Sequence, residues 1–167
     1  KDIFIDKARE ILAGSGLTEI QSYTMLGPKD LEKCGLPIDQ AVKISNPLTV
    51  EESVLRPYLL PGLLKTMLYN QNRQTENVLI FEIGKSFAMQ SEKQPAETWK
   101  LGGAAAGSPF MSAMDKGEVD FFYFKGILEN LFAGLGIETP KISETEHFLL
   151  QPGMAAQIEG IGIFGAL

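Results

Sequence analysis

The run from Asn46 to Phe87, NPLTVEESVLRPYLLPGLLKTMLYNQNRQTENVLIFEIGKSF, constrains the fold more than any other part of this chain. Asn46-Pro47 interrupts what precedes it, because a proline ring pushes the residue before it out of the α region. Val54-Leu55 then resumes a brief extended piece. From Pro61 onward Leu60, Leu64, Met67 and Leu68 share one face, and a proline fits the first helical turn, where a missing N–H has no bond to lose. The spacing predicts a helix over Pro61 to Gln74. Val78 to Ile83 is an apolar run interrupted by Glu82, and a second extended stretch, Lys85 to Met89, follows Gly84. Two adjoining strand segments bent at the glycine are expected there.

The rest of the chain supplies further helices and short strands. Ile5, Ala8, Ile11 and Leu12 fall at helical spacing, with Gly14 and Gly16 as the stop. Glu19 to Met25 reads as a strand, Pro28 to Gly35 as a short helix and Ala41 to Ser45 as another short strand. Gln90 to Glu97 is polar with a proline and reads as an exposed loop, after which Trp99 to Ala106 returns to an extended pattern. Gly107 to Glu118 is loose in composition. Phe121, Phe124, Leu128, Leu131, Phe132 and Leu135 recur at three-to-four spacing, so Val119 to Leu135 is a helix ending at Gly136. Lys141 to Ser143, Ala155 to Ile158 and Ile161 to Ala166 are short extended candidates. Helices mixed with several strands predict an α+β fold with a largely antiparallel sheet flanked by helices. No internal repeat or composition shift divides the chain, so one domain over 1–167 is expected.

Composition narrows the function. With 44% hydrophobic and 22% charged residues the chain has the profile of an ordinary globular protein, not of a disordered one. No apolar run approaches a membrane span, and the N-terminus lacks the layout of a signal peptide, which points to the cytoplasm and away from a membrane. A single cysteine, Cys34, leaves no disulfide framework and no Cys-rich zinc site. The net charge is −6, and only Arg9, Arg56 and Arg73 are arginines among the fifteen basic residues. Nucleic-acid binders neutralise phosphates with clustered cations, so this acidic chain is a poor candidate for direct grip on tRNA or DNA.

Few residues offer chemistry. His147, the lone histidine, lacks a visible nucleophile or orienting partner and reads as structural. Gly102 to Ser108, GGAAAGS, has the look of a phosphate loop but no lysine before the serine, and reads as a tightly packed strand. Glu51-Glu52 and the Glu144/Glu146 pair read as solvated charges, and Phe121 to Phe124 as core packing with some ring surface facing a partner. Arg56 stands apart: at the end of an extended piece its guanidinium can clamp a phosphate or carboxylate, or sit in a structural salt bridge.

Asn46-Pro47-Leu48, Ser53 to Arg56, Leu59 to Leu64, Asn70 to Arg73 and Phe81-Glu82-Ile83-Gly84, in that order and spacing, resemble the signature of bacterial phenylalanyl-tRNA synthetase β subunits. Asp120-Phe121-Phe122 with Lys125-Gly126, and Pro152-Gly153 with Ala155 and Gly162 to Gly165, are similar to the family's later helix opening and strands. The resemblance covers nearly the whole chain. It implies a catalytic-like module of class II aminoacyl-tRNA synthetase architecture that does not itself aminoacylate, cut short of the point where motif 3 would align.

Active class II domains place arginines against the phosphates of ATP, because charge developing on phosphate needs fixed cations. The equivalent of motif 2 here, Phe81 to Phe87, has none, and Lys85 stands where the family usually has arginine. Gln151 and Met154 likewise replace a frequent histidine and arginine. The resemblance therefore implies no catalytic residue, cofactor or metal in this domain, with ATP and Mg²⁺ used by the parent complex. It implies the synthetase α subunit as partner in an α2β2 assembly, and tRNA(Phe) only through that complex. The structural and interface candidates are Asn46 and Pro47 for the turn, Arg56 for a fixed ion pair, Leu60, Pro61 and Gly62 for the helix start, and Glu82 and Gly84. Two alternatives stay open: a domain that retains nucleotide binding or adenylating activity, with Arg56 on phosphate, and a free-standing interaction module.

Overall fold

In the computed structural model, which describes residues 2–39, 41–91, 94–109 and 117–167, thirteen elements succeed one another. They are α1 (Asp2–Gly14), β1 (Thr18–Glu19), β2 (Met25–Leu26), α2 (Pro28–Lys33), a 3₁₀ turn (Val50–Glu52), β3 (Val54–Leu55), α3 (Leu60–Gln71), β4 (Val78–Ser91), β5 (Gln94–Ala106), α4 (Phe121–Leu135), β6 (Ile142–Glu144), β7 (Ala155–Ile158) and β8 (Gly162–Gly165). Contacts divide the chain into two units, Glu19–Ala105 on one side and Lys1–Thr18 with Ala106–Leu167 on the other.

In the unit formed by Glu19–Ala105 the principal sheet has the order β1-β4-β5. Only residues 92 and 93 separate β4 from β5, a link that permits antiparallel pairing alone. The N–H of Ile20 donates to the carbonyl of Phe81 at 2.8 Å and ties the incoming chain to β4. Helix α3 packs on this sheet through a core of Leu59, Leu63, Val78, Ile80 and Ala104. A second cluster, Leu26, Leu31, Ala41 and Val54, sits under the antiparallel β2–β3 ribbon, in which Met25 faces Leu55 and Leu26 faces Val54.

In the other unit α1 packs against α4 so closely that a Cβ on Gly134 would run into the side chain of Ile11. Two signals bound α4. Asp120 accepts a hydrogen bond from the N–H of Tyr123 at 2.7 Å, capping the free amides of the first turn, and Gly136 at φ +70° ends the helix in a left-handed conformation that a Cβ disfavours. Strands β6, β7 and β8 form an antiparallel sheet in that order, and Phe121 stacks on Phe164 with 4.8 Å between ring centroids.

Five expectations are corrected. Glu19 to Met25 is no continuous strand: pairing stops at Glu19 and resumes at Met25, and Ser22 between them turns to a side-chain partner described below. Ala41 to Ser45 forms no strand of its own and contributes one isolated bridge, Lys43 to Val54, flanked by the bonds Leu55 N–H to Val42 and Ile44 N–H to Ser53. Most of the polar stretch Gln90 to Glu97 is strand, since β4 runs to Ser91 and β5 begins at Gln94, and its residues 92 and 93 lie outside the described residues. Gly84 does not divide two strand segments, since β4 passes through it unbroken. Helix α3 also ends at Gln71, with Gln74 at φ +63° closing the turn. Part of Gly107 to Glu118, residues 110–116, lies outside the described residues. No helix among the described residues is long and apolar enough to cross a membrane.

Two measurements check this packing. Leu63 is 1% exposed and Leu68 58%. Leu63→Ala should lower unfolding stability in urea by about 2–5 kcal/mol, and Leu68→Ala by no more than about 0.5 kcal/mol. Cys34 is buried; burial, and to a lesser degree the Asp30 carboxylate, pushes its thiol above the usual range. A raised pKa leaves less thiolate at a given pH, so iodoacetamide should label Cys34 far more slowly in native protein than in urea.

Candidate functional site

Alternation along β4 carries a carboxylate into the interior. Successive side chains of a strand point to opposite faces, and Ile80, Glu82, Gly84 and Ser86 are all buried at every second position. Arg56 arrives from the end of β3. Its N–H donates to the carbonyl of Thr24 at 2.8 Å, and its carbonyl accepts from the N–H of Phe87 at 2.9 Å. The main chain of Arg56 is thereby held between the chain entering β2 and the middle of β4.

The two side chains meet inside the unit formed by Glu19–Ala105. Arg56 Nη1 lies 2.5 Å from Glu82 Oε1, and the side chains are 6% and 1% exposed. Nη1 also donates to Ser22 Oγ at 2.9 Å and to the Ser22 carbonyl at 3.3 Å, while Nε donates to the Lys85 carbonyl at 2.9 Å. Ser22 closes the ring: its hydroxyl donates to Glu82 Oε2 at 2.6 Å and its N–H to Oε1 at 3.3 Å. Removing two charges from water costs several kcal/mol each unless partners replace the lost hydration. Here they do, and among the described residues no buried side-chain nitrogen or oxygen lacks a partner.

Two glycines make room. A Cβ on Gly84 would strike the guanidinium of Arg56, and one on Gly62 would strike the side chain of Ser22. Neither has a positive φ, so close approach, not backbone freedom, is what requires glycine at these positions. Leu60 and Pro61 form the first turn of α3 and deliver Gly62 to this point.

The structure therefore brings Arg56, Gly62, Glu82 and Gly84 together. Asn46 and Pro47 stand apart from them in an exposed stretch before the 3₁₀ turn. Lys85 contributes its carbonyl to the cluster but sends its ammonium to Glu97, 2.6 Å away across the hairpin and about half exposed. Ser22 is the member that sequence reasoning missed: a serine in a polar context carries no signal of a partner sixty residues away. Of the weaker candidates, His147 lies in the other unit, its ring beside Phe148 and its Nδ1 accepting from the N–H of Leu149 at 3.3 Å. Gly102 sits within β5, where a Cβ would press on Leu59 and Leu63. Among the described residues no three His, Cys, Asp or Glu side chains gather as a metal site.

A guanidinium held this way joins three chain segments, those of Ser22, Arg56 and β4, with Nε and Nη1 both engaged by protein acceptors. Removing one partner should therefore be far worse than removing both. Glu82→Gln should destabilise by about 3–5 kcal/mol, because it strands a buried cation. Urea titration should place the double variant R56M/E82Q much nearer the wild type than the sum of the single losses.

Comparison with known proteins adds the family. The model described as the phenylalanyl tRNA synthetase beta chain CLM domain matches residues 1–167. The phenylalanine–tRNA ligase beta subunit of Carboxydothermus hydrogenoformans is 40% identical over 158 residues, covering 91% of this chain and 20% of that protein. Its counterpart in Moorella thermoacetica is 37% identical over 169 residues, covering 97% and 21%. The chain thus spans about a fifth of the length of these relatives. Among solved structures, pyrrolysyl-tRNA synthetase from Desulfitobacterium hafniense superposes with a TM-score of 0.66 at 15% identity, covering 92% of this chain and 56% of that one. A second structure, PylSc of the same organism, superposes at 0.63 and 19% identity. These likenesses establish the fold, an α+β arrangement of the class II aminoacyl-tRNA synthetase type. With the family model matched from end to end and the beta-subunit relatives above, the chain belongs to the CLM domain family of phenylalanyl-tRNA synthetase beta chains.

Proposed function

We propose that this domain is a non-catalytic scaffold within phenylalanyl-tRNA synthetase. It packs against the α subunit and supports assembly of the α2β2 enzyme that joins phenylalanine to tRNA(Phe) with ATP and Mg²⁺ in the cytoplasm. The observation that carries this reading is the enclosure of Arg56. In the rival reading Arg56 is the best phosphate contact, yet its Nε and Nη1 are taken by Lys85, Ser22 and Glu82, and the side chain is 6% exposed. Transition-state charge on a phosphate needs a cation aimed at it, and this one is aimed at a carboxylate. Lys85, in the motif 2 position, is a flexible point charge already engaged with Glu97.

Apolar side chains exposed on each unit support a docking role. Leu68 and Tyr69 on α3 are 58% and 57% exposed, and Phe122 on α4 is 69% exposed. The low share of arginine and the net charge of −6 favour a protein partner over direct contact with tRNA. Asn46 and Pro47, with Leu48 at 93% exposure beside them, are further candidates for that interface.

The test is co-purification of the α subunit with the intact β chain carrying Leu68→Asp and Phe122→Asp, followed by aminoacylation. The scaffold reading expects at least about a tenfold loss of assembled enzyme, since charges buried at an apolar contact cost more than about 1.4 kcal/mol. Undiminished assembly and activity would overturn it. ATP–pyrophosphate exchange by the β chain alone, abolished by Arg56→Ala, would establish the adenylating alternative.

A further inference from the structure

The groups around Arg56 share one chemical property: apart from the N–H and hydroxyl hydrogens that Ser22 turns toward Glu82, they are acceptors. Glu82 Oε1, Ser22 Oγ, the Ser22 carbonyl and the Lys85 carbonyl all face the guanidinium. They meet two separate nitrogens of the guanidinium, Nε at the Lys85 carbonyl and Nη1 at Ser22 and Glu82. Gly84 lies beside Nη2 so closely that no Cβ fits, which gives the plane a flat backbone wall. The cage is also built without Arg56, because Ser22 holds Glu82 through two hydrogen bonds of its own.

We propose that Ser22, Glu82, Gly84 and the Lys85 carbonyl form a guanidinium-binding site that the chain fills with its own Arg56. The site is selective for a planar cation over an ammonium ion and closed to anions such as a nucleotide phosphate. An ammonium group radiates its donors from a single point and cannot reach both the Lys85 carbonyl and the Glu82 carboxylate as the fork does. A phosphate placed there would face a carboxylate and two carbonyl oxygens in a poorly solvated space. The inference concerns binding inside one unit and does not depend on the scaffold reading, since assembly with the α subunit is not what its test measures.

The test is chemical rescue in the intact β chain, read by hydrogen exchange of peptides covering 19–26, 54–59 and 80–88. Arg56→Ala should speed exchange in all three segments by about tenfold or more, as the elements the cage joins open locally. Guanidinium chloride at about 20 mM, far below denaturing concentrations, should restore most of the protection. Sodium, methylammonium and urea at the same concentration should not. R56A/E82Q, which removes the carboxylate, should no longer respond to guanidinium. Equal rescue by methylammonium, no rescue by guanidinium, or protection by ATP instead would each overturn the proposal. If R56A does not fold, Arg56→Lys decides: a guanidinium-selective cage predicts fast exchange in these segments although the charge is kept, and wild-type protection would refute it.

Discussion

The enclosure of one charge pair organises the unit formed by Glu19–Ala105. Arg56 and Glu82 stand 26 residues apart in the chain, and each is of no use in the interior without the other. A buried ion pair is weak evidence for stability, because its attraction does little more than offset the hydration both ions lose. What it supplies is intolerance of alternatives. If β4 slipped by one residue, Glu82 would turn to the opposite face and leave the guanidinium alone in the core. The pair therefore selects a register that the neighbouring apolar side chains, interchangeable in size, would select less sharply.

The same constraint accounts for residues that are otherwise hard to explain. Ser22 interrupts what would be a strand because its hydroxyl bridges the two charges. Gly62 and Gly84 lack side chains because a methyl group would occupy the space of Ser22 or of the guanidinium. Thr24 and Phe87 hold the main chain of Arg56 from opposite sides, so the β2–β3 ribbon with its cluster around Leu31 is tied to the middle of β4. The two hydrophobic clusters of this unit are thereby joined through a polar link.

The fold by itself assigns no activity. One architecture hosts many chemistries, and function resides in the groups a site presents. Here the architecture matches that of synthetases with known structures, while the most conspicuous cation of the matching region faces inward. The scaffold proposal rests on that difference. Exposed apolar side chains stand on α3 in one unit and on α4 in the other.

Much of this was legible in the residues alone. The apolar spacing of Ile5 to Leu12 and of Phe121 to Leu135, the glycine stops, and the prolines at α2 and α3 specified α1 to α4, because helix signals are local. The α+β class and the family signature were equally readable. The order of strands in the sheets was not, since pairing partners are distant in sequence. The polar residues near Ser91 looked like a loop because exposed strand ends have the same composition, and Gly84 looked like a break between strands because a strand glycine announces a missing side chain without saying what fills the gap. The sequence determined that Arg56 and Glu82 would be anomalous in their settings. Only the tertiary structure decided that they answer each other, because a buried charge finds its partner through space and leaves no periodic trace along the chain.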